Sequence, residues 1–322
     1  MINKKKTENI LMKAYGPIIL SLFFFLNACV SDKKTEDKKE TLVEKENVIE
    51  IITKNMEFQI VDKIPSGWNT FRYTNKSTQV HFFLIDKYPE GKTIEDAEKI
   101  VAPIFQEGMD LINQGKAEEG YAAFGKLPEW FGEVVFMGGS GMVSPGQTCE
   151  TIIKLDPGYY ILECYVKMAN GQFHSNMGMV KELVVTEEKS DVSPPAANIK
   201  INISSAKGMV YTDQILKGTN TFSVYYEDQI VHENFVGHDV NLVKLDDNAD
   251  IEALEKWVNW ADPKGLITPS PEGITFLGGV NDMPAGSTGY FTPTLEPGNY
   301  ALISEVPNAS DKNLLKRFTI LN

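Results

Sequence analysis

Leu155-Asp156-Pro157-Gly158-Tyr159-Tyr160-Ile161-Leu162-Glu163-Cys164 decides how this 322-residue chain is read, because its first half occurs twice. An ungapped shift of 140 residues sets Leu155-Asp156-Pro157-Gly158-Tyr159-Tyr160 on Leu295-Glu296-Pro297-Gly298-Asn299-Tyr300. Proline fixes φ and glycine accepts a positive one, so both copies predict a tight turn. The same shift sets Phe136-Met137-Gly138-Gly139 on Phe276-Leu277-Gly278-Gly279 and Thr148 on Thr288. Further upstream, Ile64-Pro65-Ser66-Gly67-Trp68-Asn69-Thr70-Phe71 resembles Ile215-Leu216-Lys217-Gly218-Thr219-Asn220-Thr221-Phe222. A repeat this long is a whole domain rather than a solenoid unit.

The repeats run over 50–187 and 199–322. Between them, 188–198 contains Ser193-Pro194-Pro195-Ala196-Ala197, a stiff polar linker. Each copy reads mainly as strands: Thr70–Thr74 and Thr221–Tyr226 are rich in the aromatic and β-branched residues that strands favour. One helical signal interrupts each copy. Thr93-Ile94-Glu95-Asp96 is a capping-box pattern ahead of Ala97, Ile100, Val101 and Ile104 at helical spacing. Ala249–Trp260 does the same in the second copy through Ile251, Leu254, Trp257 and Val258. Extra helical material in the first copy, from about Gln106 to Lys126, is expected to cover one end of the domain.

The N-terminus sets the expected compartment. Lys4, Lys5, Lys6 and Lys13 precede an apolar run from Tyr15 to Leu26, too short to span a bilayer comfortably and flanked as a secretory signal is. It ends in Leu26-Asn27-Ala28-Cys29, which resembles a bacterial lipobox. That resemblance implies removal of 1–28 and a diacylglycerol on Cys29, holding the protein to the cell envelope by its acyl chains. Residues 29–49 are dense in Lys, Asp and Glu and read as a solvated tether.

The order of elements resembles cupredoxin-like domains: Ile64–Phe71, Asn75–His81, Gly138–Gly146, Leu155–Cys164 and a closing His174–Met179. The resemblance implies a mainly β chain of two tandem Greek-key sandwich domains, each with a helical insertion. In copper-binding members the metal is held by two His, a Cys thiolate and a weak axial Met, a soft and constrained set suited to electron transfer. The matching positions are His81, Cys164, His174 and Met179, with the H-x4-M spacing favouring Met179 over Met177. The ten-residue step from Cys164 to His174 is longer than in small electron-transfer members.

Cys164 has a competing use. Cys149 and Cys164 each lie six residues outside the Leu155–Gly158 turn, and alternation points both inward. A Cys149–Cys164 disulfide is therefore open, and an exported protein meets oxidants that favour it. It would consume the thiolate that copper needs, leaving a metal-free binding module as the alternative. The second repeat has Gly289 for Cys149, Ser304 for Cys164 and Leu314 near the Met179 position, so it is expected to be metal-free. His232 and His238 are expected at its surface.

With 31 basic and 44 acidic side chains, the net charge is −13. Such a surface repels phosphate backbones, which excludes nucleic acid as a partner, and points to a redox protein with a basic face. Gly138-Gly139-Ser140-Gly141-Met142 lacks the last glycine of a nucleophile elbow, and no P-loop or H-E-x-x-H motif is present. No catalysis is expected.

Overall fold

The computed structural model describes residues 48–322, apart from Asn234 and Phe235. The signal, Cys29 and the tether as far as Asn47 lie outside the described residues. The first repeat contributes β1 (Val48–Thr53), β2 (Phe58–Gln59), β3 (Lys63–Asn75), β4 (Leu84–Lys87), β5 (Val135–Gly139), β6 (Thr148–Leu155), β7 (Gly158–Glu163) and β8 (Val180–Lys189). The second contributes β9 (Ile199–Ser204), β10 (Gly208–Val210), β11 (Gly218–Thr219), β12 (Phe222–Tyr226), β13 (Val240–Leu245), β14 (Ile274–Val280), β15 (Thr288–Phe291), β16 (Thr294–Leu295), β17 (Gly298–Ile303) and β18 (Leu315–Ile320).

β3 is long enough to serve two sheets. Its Gly67–Thr74 half pairs antiparallel with β6, while Lys63–Pro65 pair parallel with β8. Asn69, Phe71, Tyr73 and Asn75 alternate inward along it, as the period of two demands. Phe83 meets Phe71 and Tyr73 between the sheets, at centroid distances of 5.6 and 5.5 Å. Side chains of this size each contribute roughly 2 kcal/mol by leaving water.

The Pro-Gly turn carries the chain between sheets and makes no hairpin. β6 pairs with β3 and β15, whereas β7 pairs with β4 and β8. In the second repeat, β16 pairs with β11 and β17 with β13 and β18. Each turn is tied by the tyrosine that follows it: Tyr160 Oη donates to the Asp156 carbonyl at 2.7 Å and Tyr300 Oη to the Glu296 carbonyl at 2.8 Å. Asn69 Nδ2 donates to the Pro65 and Gly67 carbonyls, and Asn220 Nδ2 to those of Leu216 and Gly218. The repeats match bond for bond.

The two sandwiches are joined through equivalent strands. β15 pairs antiparallel with β6, Tyr290 opposite Ile152 and Phe291 opposite Thr151, so that β10, β9, β12, β15, β6 and the Gly67–Thr74 half of β3 form one continuous sheet across both repeats. Backbone bonds from Ser144 N to the Phe276 carbonyl and from Gly278 N to the Met142 carbonyl fasten the same seam.

The helical insertion of the first repeat follows β4. It comprises α1 (Ile94–Asp96), a π-helical turn (Ala97–Val101), α2 (Ala102–Asn113) and α3 (Ala117–Phe124). Its expected capping box forms, with Thr93 N–H donating to Asp96 Oδ2 at 3.0 Å. The second repeat has the shorter α4 (Ile251–Val258), capped by Asp250, whose carboxylate accepts from Glu252 N and Ala253 N.

Candidate metal centre

One strand bridge and three further backbone hydrogen bonds bring the expected ligands together. His81 exchanges both backbone bonds with Val143, at 3.2 and 2.7 Å. Cys164 follows β7 directly, and its N–H donates to the Met179 carbonyl. Met179 N–H donates to the His174 carbonyl, and His174 N–H to that of Val166. Gly178, at φ 112°, makes the reversal that returns Met179 to the core.

The result is a triangle of donor atoms. Nδ1 of His81 and Nδ1 of His174 are 3.0 Å apart, and Cys164 Sγ is 3.8 Å from each. The point equidistant from these three atoms is about 2.1 Å from each, within the range of transition-metal bonds to nitrogen and sulfur. Among the described residues, this is the one group of three or more His, Cys, Asp or Glu side chains close enough to share a metal ion. His81, Cys164, His174 and Met179 are all 0% exposed.

Burial decides the protonation of the metal-free site. It lowers His81 to about 3, helped by the neighbouring His174, and lowers His174 to about 4. It pushes the Cys164 thiol up to about 12, against the opposing pull of backbone N–H groups of Phe82 and Val166 on the sulfur. At neutral pH two neutral imidazoles face a thiol. The Phe82 and Val166 amides are already aimed at the sulfur, where they stabilise the thiolate that a metal would require.

The Cys149–Cys164 disulfide that the sequence leaves open is not present; both thiols are free and buried. β6 and β7 lie in different sheets, and the two sulfurs serve different neighbours. Cys149 stands opposite Tyr73 and packs on Gly278 of the second repeat, where an added Cβ would meet the Cys149 Cβ at 2.4 Å. Cys164 faces the two imidazoles.

The long Cys-to-His loop has a structural cause. Lys167 bridges Phe173 within the loop and also pairs with Ile267 of the second repeat. Lys167 N–H donates to the Leu266 carbonyl and its Nζ to that of Pro263 at 2.9 Å. The additional residues dock the ligand loop on the second repeat. From the other side α2 holds it: Gln106 Oε1 accepts from Phe173 N at 3.0 Å, and Asn176 Nδ2 donates to the Ala102 carbonyl. The helical insertion therefore holds the chain on both sides of His174, which is fully buried.

The second repeat keeps the frame and has lost the donors. Ser304 N–H donates to the Leu314 carbonyl and Leu314 N–H to that of Ala309, repeating the bonds of Cys164, Met179 and His174. Leu84 pairs with Glu163 and Asn241 with Ile303, so His238 stands where His81 does. His238, expected at the surface, is fully buried, and its ring turns to the Asp228 carbonyl at 3.1 Å and to His232 at 3.0 Å. Ser304 Oγ donates instead to Asp239 at 2.7 Å.

Reading the sequence missed a group of acids beside this centre that line one cavity: the buried Asp86, Asp239 and Glu305 and the half-buried Glu163 and Asp282. The available signal was Asp86 within the apolar run Phe82-Phe83-Leu84-Ile85, where a lone carboxylate has no solvated face to occupy.

Among solved structures the chain is similar to the auracyanin of the photosynthetic bacterium Roseiflexus castenholzii, at 19% identity over 44% of this chain and 98% of that one, with a TM-score of 0.27. It is similar to auracyanin A, a blue copper protein from Chloroflexus aurantiacus, at 21% identity over 43% and 98%, with a TM-score of 0.27. It is also similar to a blue copper oxidase from Nitrosomonas europaea, at 12% identity over 85% of both chains, with a TM-score of 0.21. No protein-family model and no curated protein matches the chain. The fold is mainly β, as expected. Two imidazole Nδ1 atoms, a thiol and a buried thioether are the donor set of a type-1 copper centre.

Proposed function

We propose that this chain is an electron-transfer protein of the bacterial cell envelope that binds one copper ion through His81, Cys164, His174 and Met179. The observation that carries the reading is the Nδ1–Nδ1–Sγ triangle, with sides of 3.0, 3.8 and 3.8 Å. When bound, copper supplies a one-electron couple. The chain supplies the rest: neutral imidazoles, a sulfur held by two backbone amides, and a dry, rigid surround that changes little between charge states.

Complete burial of all four side chains supports a carrier rather than a catalyst. A catalytic metal site keeps a position open to substrate, and here His174 is fully buried, with the helical insertion holding the chain on both sides of it. The acidic body favours an encounter partner with a basic face. Diacylglycerol on Cys29 would hold the protein at a membrane surface.

The test is Cu(II) added to the reduced protein, followed by visible spectroscopy. An intense thiolate-to-copper band that is kept in Cys149→Ser and lost in Cys164→Ser supports the reading. Absence of the band in the wild type removes it. Mass spectrometry of the native N-terminus checks the anchor separately: a chain retaining Met1 and an unmodified Cys29 would end that part.

A further inference from the structure

Between the helical insertion, the edge of β4 and β7, and the facing end of the second repeat lies a cavity of about 300 Å³. Its walls are apolar and aromatic, from Phe105, Phe131, Phe136 and Phe173 of the first repeat to Trp260 of the second. Five carboxyl groups also line it: Asp86 and Glu163 from the first repeat, and Asp239, Asp282 and Glu305 from the second. No lysine, arginine or histidine is among the lining residues. Burial pushes Asp86, Asp282 and Glu305 well above the ordinary carboxylate range, with Lys167 the cation acting against it on Glu305, so the neutral form is favoured until a bound cation stabilises the charged one.

Two of these acids are only partly satisfied. Asp86 and Glu305 are 2% and 3% exposed, and Asp86 Oδ1 and Glu305 Oε1 receive no hydrogen bond. Glu305 is held in place from its other oxygen, which accepts from Tyr165 Oη at 3.1 Å. Asp239 and Asp282 are held likewise: Asp239 accepts from Ser304 Oγ and Glu305 N, and Asp282 Oδ1 from Gln229 Nε2 at 2.7 Å. The three acids of the second repeat are thus held in position, Asp86 and Glu163 face each other carboxyl to carboxyl on the other wall, and Asp86 Oδ1 and Glu305 Oε1 remain without a donor.

We propose that this cavity binds an aliphatic polyamine, its protonated nitrogens taken by Asp86 and Glu305 and its methylenes by the aromatic walls. A compact metal ion fits less well, because no three carboxylates of the described residues bring their oxygens within 4.8 Å of one another. The acids are spread over two walls, which matches charges spaced along a chain. The rings add cation–π attraction for ammonium groups and apolar contact for the carbons between them. The cavity is separate from the copper triangle, and the inference does not rest on the copper reading.

Spermidine titrated into the purified, metal-free full-length chain by isothermal calorimetry tests this. Saturable one-site binding is expected, at least tenfold tighter than that of 1-butylamine, which carries one charge. Asp86→Asn and Glu305→Gln should each weaken spermidine at least tenfold. Ala102→Trp, which fills the cavity from α2 and leaves every acid in place, should abolish the heat. Near-ultraviolet circular dichroism verifies that each variant is folded. The wild-type comparison of spermidine with 1-butylamine and with calcium chloride needs no variant. No saturable binding, equal affinity for the monoamine, tighter binding of calcium, or unchanged affinity in the folded variants would each overturn the proposal.

Discussion

Nδ1 of His81 and Nδ1 of His174 stand 3.0 Å apart across 93 residues of sequence. Two neutral imidazoles meet this way only when one ring carries its proton at Nδ1 and the other at Nε2. Both Nε2 atoms are buried without a partner, so nothing else in the site fixes which ring is which. If both Nδ1 atoms held a metal, that hydrogen bond would be given up and the shared proton would move to Nε2. It need not be released.

The first prediction follows from this arrangement. With His81 near 3 and His174 near 4, both rings are already neutral at pH 7, while the thiol near 12 holds its proton. Copper binding should therefore release one proton, from Cys164. Affinity should rise about tenfold per pH unit between roughly pH 5 and 9, since proton release favours binding as pH rises. Calorimetry in buffers of different ionisation enthalpy measures the number. A value of two or three would mean that the histidines are cationic in the metal-free protein.

Copper should bind at one equivalent per chain. Ser304, Ala309 and Leu314 occupy the places of Cys164, His174 and Met179, and His238 with His232 makes only a pair, short of the three donors gathered in the first repeat. Elemental analysis after dialysis should give one copper, unchanged in His238→Ala. Two equivalents in the wild type, one of them lost in His238→Ala, would place a second site in that repeat.

Gly139 and Gly279 are needed for close approach of neighbouring strands. A Cβ at Gly139 would lie 1.9 Å from the Phe83 carbonyl oxygen, and one at Gly279 would lie 1.9 Å from that of Val240. Because Phe83 is two residues from His81, Gly139→Ala should destabilise by about 3 kcal/mol and also impair copper binding. Gly279→Ala should cost a similar amount in urea unfolding and leave copper affinity nearly unchanged. Equal loss of copper in both variants would show that the coupling is global rather than local.

Tyr160 and Tyr300 make the same bond to the turn before them, at 2.7 and 2.8 Å. Tyr160→Phe and Tyr300→Phe should each cost about 1 kcal/mol, the net contribution of one such hydrogen bond. The turns belong to different repeats, so the double variant should cost the sum. Chemical denaturation of the three variants checks this, and strong non-additivity would mean that the turns unfold as one unit.

The repeat, its strand-rich character and the four donor types are legible without the fold, because these are local. Pro-Gly turns, alternation along Thr70–Thr74 and the H-x4-M spacing each depend on neighbouring residues, and the second copy repeats the turns and strands at the same shift. Local pattern also placed the capping box at Thr93 and the α4 helix to within about two residues. It could not say whether Cys164 belongs to Cys149 or to the histidines, since both thiols point inward. Only the pairing of β6 with β3 and of β7 with β4 and β8 separates them, by placing the strands in different sheets. The cavity acids were equally hidden, because Asp86 and Glu305 become neighbours of one space only when the two repeats dock. Burial of a carboxylate or an imidazole is a property of what packs over it, and long-range packing is what a local pattern does not contain.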